Sequence, residues 1–187
     1  MDKFTKMDKS NKKEEDNIKY NGEYINIISD GGWEFVQESD SICVLPIIVD
    51  KNEVLLRMEV IPSYQYRDGK EYHVTCISGT LEEEETPELC ITRELEEEAG
   101  LVLRDNIVIE ILDSFYKSKS QSSKFYLCIL PLSTYQYDEV IAKGDGSKHE
   151  ELSKTVTVSV KDLNKIFPSD IVTKLLIEEG KKYLNIQ

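Results

Sequence analysis

Apolar positions along the chain change period at identifiable points, and those changes divide it into elements. From Tyr20, the β-prone runs EYINII and WEFVQ flank Ser29-Asp30-Gly31-Gly32, which predicts an antiparallel strand pair closed by a hairpin turn. ICVLPIIVD, EVLLRMEVI and EYHVTCI continue the strand pattern, with turns expected at Asp50-Lys51-Asn52 and Arg67-Asp68-Gly69-Lys70. This half of the chain has the character of an antiparallel meander. The pattern then becomes helical: Pro87 to Ala99 lacks glycine and is rich in Glu and Leu. Thr86 stands at the N-cap position, Pro87 at the first helical position and Gly100 just past the end. NIVIEILDSFY, SKFYLCILPL and KTVTVSVKDL read as three further strands, and SDIVTKLLIEEGKKYL as a last helix opened by Pro168-Ser169-Asp170. The order strands, helix, strands, helix, without internal repeat, predicts an α/β fold.

Before Tyr20 the pattern is different. Residues 1–17, MDKFTKMDKSNKKEEDN, mix Lys, Asp and Glu with almost no apolar positions, which predicts a disordered charged arm ahead of one domain over 18–187. The length of 187 residues and 40% hydrophobic content suit one ordinary core. A formal charge of −13, with no basic stripe to offset it, argues against duplex nucleic acid as a partner. A polyanionic small molecule could be held only with the help of a divalent cation. Cys43, Cys76, Cys90 and Cys128 form no C-x-x-C pair and read as reduced, packed thiols. No apolar run approaches the roughly 20 residues of a membrane span, and the N-terminus lacks an apolar signal core, so a soluble cytoplasmic protein is expected.

Within the predicted helix, Glu94, Glu97 and Glu98 stand at i, i+3 and i+4 and project from one face, while Ile91, Leu95 and Ala99 occupy the other. A Glu-rich run is ordinarily a solvated surface, as Glu82 to Glu85 would be. Three carboxylates on one face repel each other, however, and form the oxygen-rich cluster that Mg²⁺ or Mn²⁺ prefers.

Spacing decides between these readings. Gly79, Glu85, Arg93-Glu94-Leu95, Glu97-Glu98, Gly100 and Leu101 match all nine fixed positions of the 23-residue Nudix box, G-x5-E-x7-R-E-U-x-E-E-x-G-U. The chain thus resembles the Nudix hydrolases. That resemblance implies an α/β/α sandwich with a mixed sheet, and water attack on the pyrophosphate linkage of a nucleoside diphosphate joined to another group. It implies Glu94 and Glu98 as main ligands of Mg²⁺ or Mn²⁺, Glu97 as a further ligand or its support, and the Ser78 carbonyl as an additional ligand. Arg93 would orient the carboxylates, Glu85 would tie down the loop, and Gly79 and Gly100 would be structural. Glu98, Glu97, Arg93 and Glu151 are the expected catalytic set.

Similarity continues into the ADP-ribose pyrophosphatase branch, through Gly22-Glu23-Tyr24, Trp33-Glu34-Phe35-Val36, the Val44-Leu45-Pro46 strand and Val54-Leu55-Leu56-Arg57. By that resemblance the N-terminal strands build a homodimer, Tyr24 and Trp33 stack a base, and Arg57 contacts substrate. The alternative for the two aromatics is packing on the core. The acidic segment Lys143 to Leu152 would bring in a catalytic glutamate, with Glu151 favoured over Glu150, and His149 as bystander. The branch's Gln-x-Arg-Pro, its Glu-x-Pro and the proline past the box are replaced here by Met58-Glu59-Val60-Ile61-Pro62, Thr75-Cys76-Ile77 and residues within Tyr116–Ser120. ADP-ribose or a nucleotide sugar is therefore expected alongside (d)NTPs, dinucleoside polyphosphates, NADH, a capped RNA end, or a non-catalytic nucleotide-sensing module. Lys117, Lys119 and Lys124 form a basic loop that either meets a terminal phosphate or is a solvated hairpin tip.

Overall fold

The computed structural model describes residues 18–144, 146 and 152–186. Its centre is strand β4 (Ser41–Ile48), all eight residues of which are buried. The run is continuously apolar because both faces of β4 are covered. Ile42 and Val44 pack on one side with Leu55, Ile77, Ile91 and Leu95. Cys43, Leu45 and Ile47 pack on the other with Leu56, Leu163, Leu176 and Ile177. Each fully buried aliphatic side chain contributes about 1.5–3 kcal/mol of transfer free energy, so β4 stabilises both layers at once.

Around it lies a seven-stranded mixed sheet. Strand β5 (Glu53–Glu59) pairs antiparallel with the end of β4, and β12 (Lys154–Ser159) pairs antiparallel with β5. β10 (Lys124–Leu132) runs parallel to β4 from Phe125↔Ser41 to Leu132↔Ile48, and β9 (Ile111–Tyr116) borders it. β6 (His73–Thr75) pairs with β5, and β7 (Ile77–Thr80) with β4. Pro46 falls where the antiparallel partner of β4 changes: β7 pairs as far as Val44 and β5 from Ile47, so its missing N–H interrupts neither ladder. Helix α2 (Pro87–Ala99) covers one face and α3 (Ile171–Tyr183) the other, giving the expected α/β/α sandwich.

The structure departs from the sequence reading at several places. The N-terminal pair, β2 (Asn26–Asp30) and β3 (Trp33–Gln37), gains a third strand, β1 (Ile18–Asn21), through Tyr20↔Ile27. Arg67 and Asp68, expected in a turn, end a short helix α1 (Pro62–Asp68) with Gly69 as its left-handed cap at φ 73°. The Pro62 start and Gly69 stop were legible, but seven residues are too few to display a helical period. EYHVTCI divides into β6 and β7 because the chain changes partner at Cys76, whose N–H donates to Thr173 Oγ1 (2.8 Å) rather than to a strand. KTVTVSVKDL ends as a strand at Ser159 and continues as a 3-10 turn over Val160–Lys165. Residues 106–110 do not join β9. A small pair, β8 (Leu101–Leu103) with β11 (Tyr137–Glu139), was not anticipated. The arm expected over residues 1–17 lies outside the described residues.

Thr173 couples the two layers. It is fully buried, accepts from Cys76 and donates to Asp170 Oδ2 at 2.7 Å, while Asp170 caps α3 by accepting from Thr173 N. Thr173→Val keeps the shape but orphans the Cys76 N–H, so urea unfolding of that variant should give a stability lower by about 1–3 kcal/mol.

Candidate active site

Helix α2 begins where Thr86 Oγ1 accepts from Leu89 N and ends at Gly100, whose φ of 64° returns the chain toward β8. Cys90, Ile91 and Leu95 are its anchors, each fully buried. The side facing the cleft carries Glu94 and Glu98, each only 8% exposed. Two carboxylates so deeply placed need compensation, and two arginines provide it.

Arg93 gathers the loop and the helix. Its Nε and Nη2 donate to Glu85 Oε1 and Oε2 at 3.0 and 3.1 Å, a bidentate fork. Nη1 donates to Glu94 Oε1 at 2.7 Å and to Glu97 Oε2 at 3.1 Å, and Nη2 also reaches the Thr80 carbonyl at 3.1 Å and Cys90 Sγ at 3.3 Å. The Glu85 fork, followed by the charge of Glu94, holds the guanidinium far above its ordinary pKa. Reciprocally, the bonds from Arg93 hold the Glu85 carboxyl below the usual carboxylate range. Burial pushes the Cys90 thiol beneath this cluster up to about 12, so it behaves as packing.

Gly79 lies directly over Glu94: a Cβ there would collide with the Glu94 carboxylate, so no larger residue leaves that carboxylate in place. At Gly100 a Cβ would collide with the Val140 carbonyl, and Val140 N donates to Gly100 O at 2.8 Å. That contact fixes the segment past β11, and Gly144 N donates to Glu97 O at 3.0 Å. Glu94, Glu97, Glu98, Arg93, Ser78 and Gly79 all line one cavity of about 760 Å³.

Arg57 also lines this cavity but is almost wholly buried, 3% exposed. Its Nη1 donates to the Glu98 backbone carbonyl at 3.1 Å, and its Nη2 stands 3.4 Å from Glu98 Oε1. The residue expected to contact substrate is therefore first of all a brace on the end of α2. Thr155 Oγ1 donates to the same carbonyl at 2.8 Å. Glu59 and Thr75 complete this group, and the sequence reading missed both together with Thr155. The available signal was alternation: Glu59 shares a strand face with a buried arginine two residues away.

Tyr24 lines the cavity rim beside Glu23, and Trp33, at the start of β3 opposite Asp30, is not among the lining residues. Tyr24 is 82% and Trp33 59% exposed, which excludes the core-packing alternative for both. Lys117 is not a solvated tip: it turns inward to Glu38 Oε1 (3.1 Å), Ser41 Oγ (2.8 Å) and the Ser39 carbonyl (3.3 Å), with Phe125 beneath it. All three ammonium hydrogens thus face protein oxygens. Burial alone would raise the Glu38 carboxyl, but bonds from Ser123 and Lys117 outweigh it and hold the group below its usual range. Lys124 leaves the loop to sit over the Tyr116 ring, and Lys119 is exposed. His149, Glu150 and Glu151 lie outside the described residues.

The mixed-sheet sandwich thus carries an arginine-braced pair of glutamates on one helix, beneath a glycine that admits them. The NUDIX domain model matches residues 39–176, and the chain belongs to the NUDIX family. The NAD-capped RNA hydrolase NudC of Photobacterium profundum is 26% identical over 139 residues, covering 74% of this chain and 45% of that protein, so the chain spans less than half of this relative. A crystal structure of an ADP compounds hydrolase shares the fold with a TM-score of 0.64 at 16% identity, over 89% of each chain.

The Arg93 fork makes a pH-dependent contribution. Because the folded-state pKa of Glu85 is depressed, its stabilisation is present above the unfolded value of 4.5 and is lost as pH falls through the folded value. Glu85→Gln should therefore cost about 1.5–3 kcal/mol near neutral pH, with the gap to the wild type closing in unfolding experiments below that range.

Proposed function

We propose that the chain is a metal-dependent pyrophosphohydrolase acting on a nucleoside diphosphate derivative, ADP-ribose or a nucleotide sugar foremost. One observation carries this reading: Glu94 and Glu98 stand nearly buried on the wall of a cavity large enough for a nucleotide, with guanidinium groups on both sides.

The donor set fits a hard divalent cation. Among the described residues no group of three or more His, Cys, Asp or Glu side chains is gathered so that it could hold a metal ion by itself. Mg²⁺ does not require one, since it keeps waters and shares substrate phosphates with one or two carboxylates. Glu94 and Glu98 would hold it, with Glu97 and the Ser78 carbonyl as further oxygens, and Gly79 leaves Glu94 the room to do so. When bound, Mg²⁺ or Mn²⁺ supplies charge neutralisation at the phosphates and a more acidic water.

The chain's own residues orient and hold. Arg93 fixes Glu94 and Glu97 relative to the 80–85 loop, and Arg57 fixes the end of α2. Tyr24 offers an exposed aromatic face at the rim for a base, and Trp33 of a second protomer is proposed to supply another. Tyr20, Tyr24, Ile25 and Trp33, exposed on and beside the three-stranded sheet, are the surface proposed for the homodimer. Glu151 remains the proposed proton acceptor through family resemblance alone. Hydrolysis forms a bond from the water oxygen to one phosphorus and breaks that phosphorus's bond to the bridging oxygen, which departs with the other phosphate while the water gives up a proton to a base, so ADP-ribose gives AMP and ribose 5-phosphate. No helix among the described residues is long and apolar enough to cross a membrane; a cytoplasmic location is part of the proposal.

The name of the Photobacterium relative keeps a second substrate reading open, a dinucleotide or a capped RNA end. The charge of −13 speaks against a long RNA partner. Purified protein with Mg²⁺ or Mn²⁺ should turn over ADP-ribose to AMP and ribose 5-phosphate faster than NADH, dinucleoside polyphosphates or dNTPs. Turnover of none of these would favour a sensing module instead. Glu98→Gln should lose at least about 100-fold in kcat while melting within a few degrees of the wild type, and full activity in that variant would refute the site assignment.

A further inference from the structure

Arg57 stands between two carboxylates and treats them unequally. Toward Glu98 it makes its close bond to the backbone carbonyl, at 3.1 Å, while its approach to the carboxylate is 3.4 Å. On its other side, Nε is 3.7 Å from Glu59 Oε1. Glu59 is held in turn, since its Oε2 accepts from Thr75 Oγ1 at 2.7 Å. The strand register explains the grouping: Thr75 on β6 and Thr155 on β12 are both Cα partners of Arg57 on β5. Arg57 and Glu59 are both largely buried and both line the cavity.

In such a low-dielectric setting a guanidinium N–H closes on a carboxylate it can reach, as Arg93 Nη1 does on Glu94 at 2.7 Å. Arg57 does not close on the Glu98 carboxylate in this way, because its Nη1 is committed to the Glu98 backbone carbonyl and its Nε edge is drawn toward Glu59. That difference matters to a helix whose glutamates are to receive a cation, because each oxygen taken by an arginine is one the cation loses.

We infer that Glu59 is a positioning residue: it shares Arg57 with Glu98, so that the guanidinium grips the Glu98 backbone carbonyl instead of capturing the Glu98 carboxylate from a divalent cation. This rests on the metal-dependent reading proposed above. Neutralising Glu59 lets Arg57 swing fully onto the Glu98 carboxylate and compete with the ion. Supporting groups of this kind typically change metal affinity or activity by about 10–100-fold when removed.

The test is Mn²⁺ binding to the full chain, followed by electron paramagnetic resonance, for wild type, Glu59→Gln and Arg57→Lys, with kinetics on whichever substrate the screen above identifies. Glu59→Gln retains the shape and the bond from Thr75, and should weaken Mn²⁺ binding roughly 10-fold. It should lower kcat by a similar factor at limiting metal with KM unchanged. Arg57→Lys should move both readouts the same way, because an ammonium cannot fork among Glu98, Thr155 and Glu59, and it serves as the decisive variant if Glu59→Gln does not fold. Wild-type Mn²⁺ affinity in a folded variant overturns the inference while leaving the proposed function standing. A raised KM with unchanged Mn²⁺ affinity also overturns it, by making Arg57 a direct substrate contact. If the wild-type chain binds no Mn²⁺, the metal-dependent reading itself falls and this inference falls with it.

Discussion

The contact between Arg93 and its three glutamates is the constraint on which the rest of the site depends. Without a cation nearby, Glu94, Glu97 and Glu98 on adjacent turns of α2 would repel one another and strain the helix. Arg93 converts that repulsion into attachment, joining Glu94 and Glu97 to Glu85 and to the Thr80 carbonyl. The same side chain therefore holds the end of β7, the 80–85 loop and the middle of α2 in one arrangement.

That arrangement is possible only because the backbone is placed to accept it. β7 pairs with β4 through Ile42↔Gly79 and Cys43↔Ser78, which brings Gly79 over Glu94 and Ser78 to the cavity wall. β4 is itself immobilised by apolar packing on both faces. Nonspecific burial thus fixes the frame, and a small number of directional contacts made on that frame fix the chemistry. At the far end of α2 the logic repeats with Arg57 and Thr155, which grip the Glu98 carbonyl where the helix dipole is negative.

Much of this was legible beforehand, and the exceptions have identifiable causes. The α2 boundaries follow from Thr86, Pro87 and Gly100 acting locally, and the structure places them as expected. Long strands with continuous β-prone apolar runs, such as β4 and β10, were equally clear. α1 and the β8–β11 pair were not, because elements of seven and three residues carry too little pattern. Lys117 read as part of a basic loop, yet three lysines close in sequence take three different environments, since the strand turn sends one inward to Glu38 and another over Tyr116.

Family membership was readable from local pattern alone, because the spacing of Gly79, Glu85, Arg93, Glu94, Glu97, Glu98 and Gly100 lies within one loop and one helix, where neighbours in sequence are neighbours in space. What surrounds that helix is assembled by folding. Arg57, Glu59, Thr75 and Thr155 come from three strands and are grouped by register, with Arg57 and Thr155 reaching Glu98, and Glu38, Ser41 and Lys117 meet across the sheet end. Such contacts depend on pairings between distant segments, which local residue pattern does not encode.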